Sequence, residues 1–131
     1  MILDACAMIA YLRGEEGSEA VAQYLIQEPS TCQAHAVNLC EVYYDFLKAA
    51  GEVVAKAAIN DLLSVGLIVR EDMDIVFWQS VGYFKVDCKV SLGDAFAIAL
   101  AKREKSAVLT SDHKEFEPVS RSGKCSVTFF R

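Results

Sequence analysis

Proline is scarce in this sequence: Pro29 and Pro118 are the only two in 131 residues. No Pro-rich or Gly/Ser-rich tract accompanies them, so nothing reads as a linker. The length suits one domain, residues 1–131, built on one core. Repeats at solenoid spacing are absent as well. No apolar run reaches the ~20 residues of a membrane-crossing helix. The opening stretch MILDACAMIAYLRG has no basic leader, and Asp4 interrupts it. It predicts neither a signal peptide nor a span, and the expected location is the cytoplasm, away from membranes. The five cysteines, Cys6, Cys32, Cys40, Cys88 and Cys125, are odd in number and form no CxxC pair. That excludes a disulfide framework and a zinc ribbon, and all five read as small buried hydrophobes kept reduced. Positive charge is short too. Thirteen Lys and Arg against 18 Asp and Glu leave a net charge of −5, whereas non-specific nucleic-acid binding draws on a basic surface.

Hydrophobic residues are plentiful at 53%, which indicates a globular chain. Met1 to Leu3 reads as a short apolar strand and Ala5 to Leu12 as a helix. Gly14 and Gly17 mark the turn after it. Ser18 to Gln27 carries Ala20, Val21, Tyr24 and Leu25 at helical spacing, and Pro29 and Ser30 end that segment. A short strand is expected around Thr31 to Ala34. From Asn38 to Ala49, Leu39, Val42, Tyr43, Phe46 and Leu47 make one apolar stripe of an amphipathic helix, stopped by Gly51. Further helices are expected over Val53 to Leu63, Asp74 to Val86 and Ser91 to Lys105. A buried strand is expected at Leu67 to Val69, a further strand at Ala107 to Thr110, and a last one at Ser126 to Phe130. Strands alternating with helices predict an α/β domain with a mostly parallel sheet and helices on both faces. In such sheets ligands sit beyond the carboxyl ends of the strands, where strand order reverses.

Four acids occupy positions that this rule makes interesting. Asp4 directly follows the first strand, where it also suits an N-cap. Asp112 follows the strand Ala107 to Thr110 in the same way, with a turn or cap as its structural alternative. Asp94 opens the apolar run AFAIALA within Ser91-Leu92-Gly93-Asp94, a capping-box pattern. Glu41 shares a helix face with Asn38, Asp45 and Lys48, opposite the apolar stripe, and such a face serves either solvent or a cleft. Four oxygen donors without a His/Cys cluster point to Mg²⁺ or Mn²⁺ and away from zinc. Sites of that kind activate water for phosphodiester hydrolysis.

The segments LDACAMIAYL, NLCEVYYDF and SLGDAFAIALAKREKSAVLTSDHKEF together resemble the PIN domain, in particular the compact VapC-type ribonuclease toxins of toxin–antitoxin pairs. The resemblance extends over nearly the whole chain. It implies a three-layer α/β/α sandwich and metal-dependent endoribonuclease activity leaving a 5′-phosphate and a 3′-hydroxyl. It also implies a homodimer and a small cognate antitoxin protein as inhibitor. Position by position, Asp4, Glu41, Asp94 and Asp112 match the family's acids, which would bind Mg²⁺ (or Mn²⁺) and carry the catalysis on the RNA substrate. Thr110 matches the hydroxyl residue of T-x-D, bonding within the acidic cluster. Cys6 stands where serine, threonine or asparagine is common, and Asn38 where serine or threonine is common. By the resemblance both positions stand behind the acids, and these departures remove no metal ligand but would alter the hydrogen bonding around the ligands.

Lys48, Lys85, Lys89, Lys102, Arg103 and Lys114 are candidate phosphate contacts, with solvated surface charge as the alternative. His113 reads as a surface turn residue and not as a general base. Trp78, Tyr83 and Phe84 are candidates for a self-association surface or for core packing. Two other readings stand beside the nuclease. One is a catalytically inactive PIN-like module that binds RNA or protein. The other is a phospho-acceptor receiver domain, which wants paired acids after its first strand and a lysine after its fifth.

Overall fold

The structure, a computed structural model, describes residues 1–27 and 31–131. Pro29 and Ser30, expected to end the second helix, lie outside the described residues. The strands are β1 (Ile2–Leu3), β2 (Gln33–His35), β3 (Ile68–Arg70), β4 (Ala107–Thr110) and β5 (Ser126–Phe129). They form one sheet in the order β3-β2-β1-β4-β5, and every pairing is parallel. The helices are α1 (Ala5–Arg13), α2 (Ser18–Gln27), α3 (Ala36–Ala50), α4 (Glu52–Ser64), α5 (Ile75–Cys88), α6 (Leu92–Glu104) and α7 (His113–Arg121).

Successive residues of a strand point to opposite faces, and in a sheet covered on both sides both faces must be apolar. β1 shows this in two residues. Ile2 packs with Phe77, Ile98 and Phe116 from α5, α6 and α7. Leu3 packs with Met8, Leu25, Val42 and Leu62 from α1, α2, α3 and α4. Val108 and Leu109 divide between the two cores in the same way. The result is the three-layer α/β/α sandwich expected from the sequence. α6 is buried along its length from Ala95 to Ala101, which is why its sequence is apolar all round.

Several sequence expectations change. β3 is an edge strand, not a buried one: Ile68 is 40% exposed, and the buried residue is Leu67 just before it. α3 begins at Ala36, two residues earlier than expected, because His35 caps it: its Nδ1 accepts from Val37 N at 3.1 Å. Histidine is outside the usual set of capping side chains. α7 was not foreseen; its polar sequence and internal Pro118 conceal a helix anchored by Phe116 and Val119. Phe84 is core, whereas Trp78 and Tyr83 are exposed. None of the five cysteines is in a disulfide, but Cys40 is exposed, Cys6 and Cys88 are half-buried, and only Cys32 and Cys125 are buried.

Strand order also separates the rival folds. Receiver-type doubly wound sheets run 2-1-3-4-5. Here the order reverses between β1 and β4, so the crevice opens beyond Leu3 and Thr110. No helix among the described residues is long and apolar enough to cross a membrane.

Candidate functional site

The register Leu3↔Leu109 brings the end of β1 beside the end of β4. Asp4 and Thr110 are the next residues along, and Asp4 N donates to Leu109 O at 3.4 Å. Asp4 is 3% exposed. It caps α1, accepting from Ala7 N at 2.9 Å. The cap and the cleft wall are therefore the same carboxylate, since Asp4 also lines the open crevice. Cys6 Sγ lies 3.0 and 3.1 Å from its two oxygens and 3.4 Å from Thr110 Oγ1. The same sulfur accepts from Ser111 N at 3.2 Å. Cys6 thus ties the β1 end to the β4 end across the switch point. Thr110 is fully buried, and its Oγ1 accepts from Asp112 N at 2.9 Å. Asp112 caps α7 through Glu115 N at 3.0 Å.

The second half of the site comes from α3 meeting α6. The polar face of α3 is not simply solvated. Asn38, at its start, is fully buried. Its Nδ2 donates to Glu41 Oε2 at 3.1 Å and to Gly93 O at 3.0 Å. Its Oδ1 is buried without a hydrogen-bond partner among the described residues. The Glu41 carboxylate lies over Gly93, where any Cβ would overlap it. Ser91 Oγ caps α6 by accepting from Asp94 N at 3.1 Å, which leaves the Asp94 side chain facing the cleft.

Asp4, Glu41, Asp94 and Asp112 therefore line one cleft of about 370 Å³. Burial raises the carboxyl of Asp4 above its usual range, against the bonds from Thr110, Cys6 and Ala7. Burial raises Glu41 as well, opposed by Asn38. Asp94 is pushed up to about 6, by burial first and then by the charges of Asp4, Glu41 and Asp112. Desolvated like charges of this kind are relieved by a cation. Among the described residues no three His, Cys, Asp or Glu side chains stand close enough to form a ready coordination shell. Mg²⁺ keeps several waters and takes one or two carboxylates directly. Spaced oxygen donors around an open cleft fit such a hydrated hard ion and do not fit zinc.

The cleft also contains residues that sequence reasoning passed over as site residues. Asp45 and Glu115 bring its acids to six, and Tyr44 and Ile9 add an aromatic and an aliphatic wall. The i, i+3, i+7 relation of Asn38, Glu41 and Asp45 carried the signal for Asp45. Glu115 was hidden with α7. None of the six basic candidates lines the cleft. Lys85 Nζ donates to Val90 O, and Arg103 is held by Asp72 and Asp74. His113 is exposed, stacks on Phe129 with ring centroids 4.1 Å apart, and bonds Glu117 and the Arg131 carbonyl. It has a structural post outside the cleft.

No curated protein is a significant match to the chain. Solved structures do resemble it. A toxin–antitoxin complex from Klebsiella pneumoniae superposes with a TM-score of 0.74 at 17% identity, covering 99% of this chain and 97% of that one. VapBC2 from Rickettsia felis, bound to a DNA fragment from its promoter, gives 0.76 at 15% identity over 98% and 96%. The sarcin-ricin loop cleaving toxin VapC20 from Mycobacterium tuberculosis gives 0.70 at 15% identity over 88% and 92%. At such identities these likenesses speak for the fold. The sequence itself carries more, because the family model described as PIN domain matches residues 1–121. With that match spanning all six cleft acids, the chain belongs to the PIN domain family.

Proposed function

We propose that this chain, folded as one domain over residues 1–131, is an endoribonuclease dependent on Mg²⁺ (or Mn²⁺), and the toxin of a toxin–antitoxin pair. The observation that carries this reading is the meeting of four acids from four separate elements in one cleft at the switch point. Asp4, Glu41, Asp94 and Asp112 would hold the cation. When bound, a divalent cation supplies Lewis-acid activation of water and stabilises charge on the leaving oxygen. The protein's own part is placement. Cys6 and Thr110 fix Asp4, Thr110 orients the Asp112 backbone, and Asn38 presents Glu41. The half-buried setting keeps Asp94 short of water, so its charge is strongly felt. Hydrolysis leaving a 5′-phosphate and a 3′-hydroxyl fits this arrangement.

The test is incubation of cellular RNA with the purified chain in Mg²⁺, in EDTA, and beside Asp94→Asn. Discrete fragments that disappear with EDTA and with the variant are expected. Cleavage that survives both sinks the metal-nuclease reading.

Two partners go with the reading. A small antitoxin would lay an extended or helical tail over an apolar groove near the cleft. A second copy would pair through an isologous face, and exposed Ile75, Val76, Trp78, Tyr83 and Val86 on α5 offer apolar area for it. Co-purification of a second small chain and the mass of the isolated protein test these two ideas. One observation favours an alternative: with no three metal-ligating side chains at coordinating distance among the described residues, the domain would bind RNA or protein without cutting. A thermal midpoint that Mg²⁺ does not raise, together with absent cleavage, would establish that inactive module.

A further inference from the structure

Six acids and no lysine or arginine line the cleft. RNA entering it gains nothing there from phosphate contacts to basic side chains, the usual source of nucleic-acid affinity. Attraction must come from another kind of group. Tyr44 is the aromatic side chain of the lining. It follows Glu41 by three residues on α3, so the two occupy adjoining positions on one helix face. It is 56% exposed. Neither its ring nor its hydroxyl is engaged by a hydrogen bond or ring contact among the described residues. Ile9 of α1 adds an apolar side chain to the same lining.

We infer that Tyr44 is a stacking platform for one unpaired base of a single-stranded or looped RNA at the cleft. This rests on the ribonuclease reading above and deepens it by naming a residue that engages the substrate. A base can lie on an aromatic face only when its own faces are free of the helix stack. The platform therefore selects single-stranded over duplex RNA, and it is tolerant of sequence because every base has a π-face. It also answers the charge problem of an acidic chain. Affinity comes from stacking and from the cation held by the acids, with little contribution from basic side chains.

The test uses Asp94→Asn as parent, in Mg²⁺, with fluorescence anisotropy of a short labelled oligoribonucleotide. The probe is offered as a single strand and as a duplex. The single strand is expected to bind more tightly, with a shallow dependence on salt. Adding Tyr44→Ala weakens it roughly 5- to 150-fold, the range that one stacked base corresponds to. Tyr44→Trp and Tyr44→Phe keep the affinity, whereas Tyr44→Leu does not. Equal binding by the alanine or leucine variant, a preference for duplex, or a steep salt slope overturns the platform. Because Tyr44 is exposed, its variants keep the fold, which circular dichroism verifies. Cleavage by the wild-type chain is scored separately. Tyr44-dependent binding without cleavage removes the nuclease reading alone. Cleavage with Tyr44-independent binding removes the platform alone, and no RNA binding by the parent together with no cleavage by the wild-type chain removes both.

Discussion

The carboxylate of Glu41 occupies the space that a Cβ at Gly93 would fill. Two helices, α3 and α6, meet at that point, and Asn38 fastens them by donating to both Glu41 and the Gly93 carbonyl. Gly93 is therefore a spacing device for an acid on the neighbouring helix.

Gly93→Ala tests this. Alanine is the better helix former by about 1 kcal/mol, but the overlap must be relieved by moving Glu41. Displacing a reacting group by about 1 Å can cost on the order of 100-fold in rate. We expect cleavage to fall by at least about ten-fold, with unfolding free energy changed by no more than about 2 kcal/mol. Kinetics beside a denaturant titration checks it. Unimpaired cleavage would show that the position of Glu41 against Gly93 is immaterial.

Asp94 gives a pH dependence. Its carboxyl is pushed up to about 6 in the fold, against about 3.9 in an unfolded chain. The folded state thus holds the proton more readily, and no penalty exists below about pH 4. The penalty grows as pH rises from about 4 to 6 and is complete above. In metal-free protein, Asp94→Asn should therefore be more stable than wild type at pH 7, by about 1–2 kcal/mol after allowing for partial exposure. At pH 4 the advantage should vanish. Mg²⁺ should reverse the order at pH 7, because it stabilises the chain that keeps the ligand. Denaturant unfolding in EDTA and in Mg²⁺ at both pH values measures this. A wild type already more stable than the variant at pH 7 in EDTA contradicts it.

The sequence disclosed the acids at strand ends more readily than the ones on helices. Asp4 and Asp112 followed apolar strands, so the parallel-sheet rule alone placed them at the crevice. Glu41 was ambiguous because a polar helix face looks the same toward a cleft and toward water. The burial of Asn38 against α6 decides that ambiguity, and it is a tertiary contact. β3 looked buried because Leu67, Ile68 and Val69 are all apolar, yet edge position is a property of strand order and not of composition. α7 went unseen because two apolar anchors around Pro118 make too faint a period, and Glu115 was lost with it.

The cysteines should differ in reactivity. Burial, then the charge of Asp4, pushes the Cys6 thiol up to about 12. It remains protonated at neutral pH, whereas Cys40 is exposed. With limiting iodoacetamide, peptide mass spectrometry should find Cys40 modified first and Cys6 spared. Cys6→Ser keeps a donor for Asp4 and an acceptor for Ser111 N. Cys6→Ala leaves that N–H without its partner and should cost about 1–3 kcal/mol. Equal stability of the two variants would reduce Cys6 to a space-filling role.

Arg103 should prove structural and not a phosphate contact. Its Nη1 lies 2.8 Å from Asp72 Oδ2 and 2.7 Å from Asp74 Oδ1, and its Nη2 lies 2.9 Å from Asp74 Oδ2. The guanidinium also sits over the Phe77 ring, 4.9 Å from its centroid. Asp74 in turn caps α5 at Phe77 N. Arg103 therefore joins α6 to the start of α5 with a planar fork that lysine cannot reproduce. Arg103→Ala should lower the thermal midpoint while leaving the KM for RNA unchanged, and Arg103→Lys should recover only part of the loss. A raised KM at an unchanged midpoint would instead return Arg103 to the RNA-contacting surface, and would mean that the ion pairs open when RNA binds.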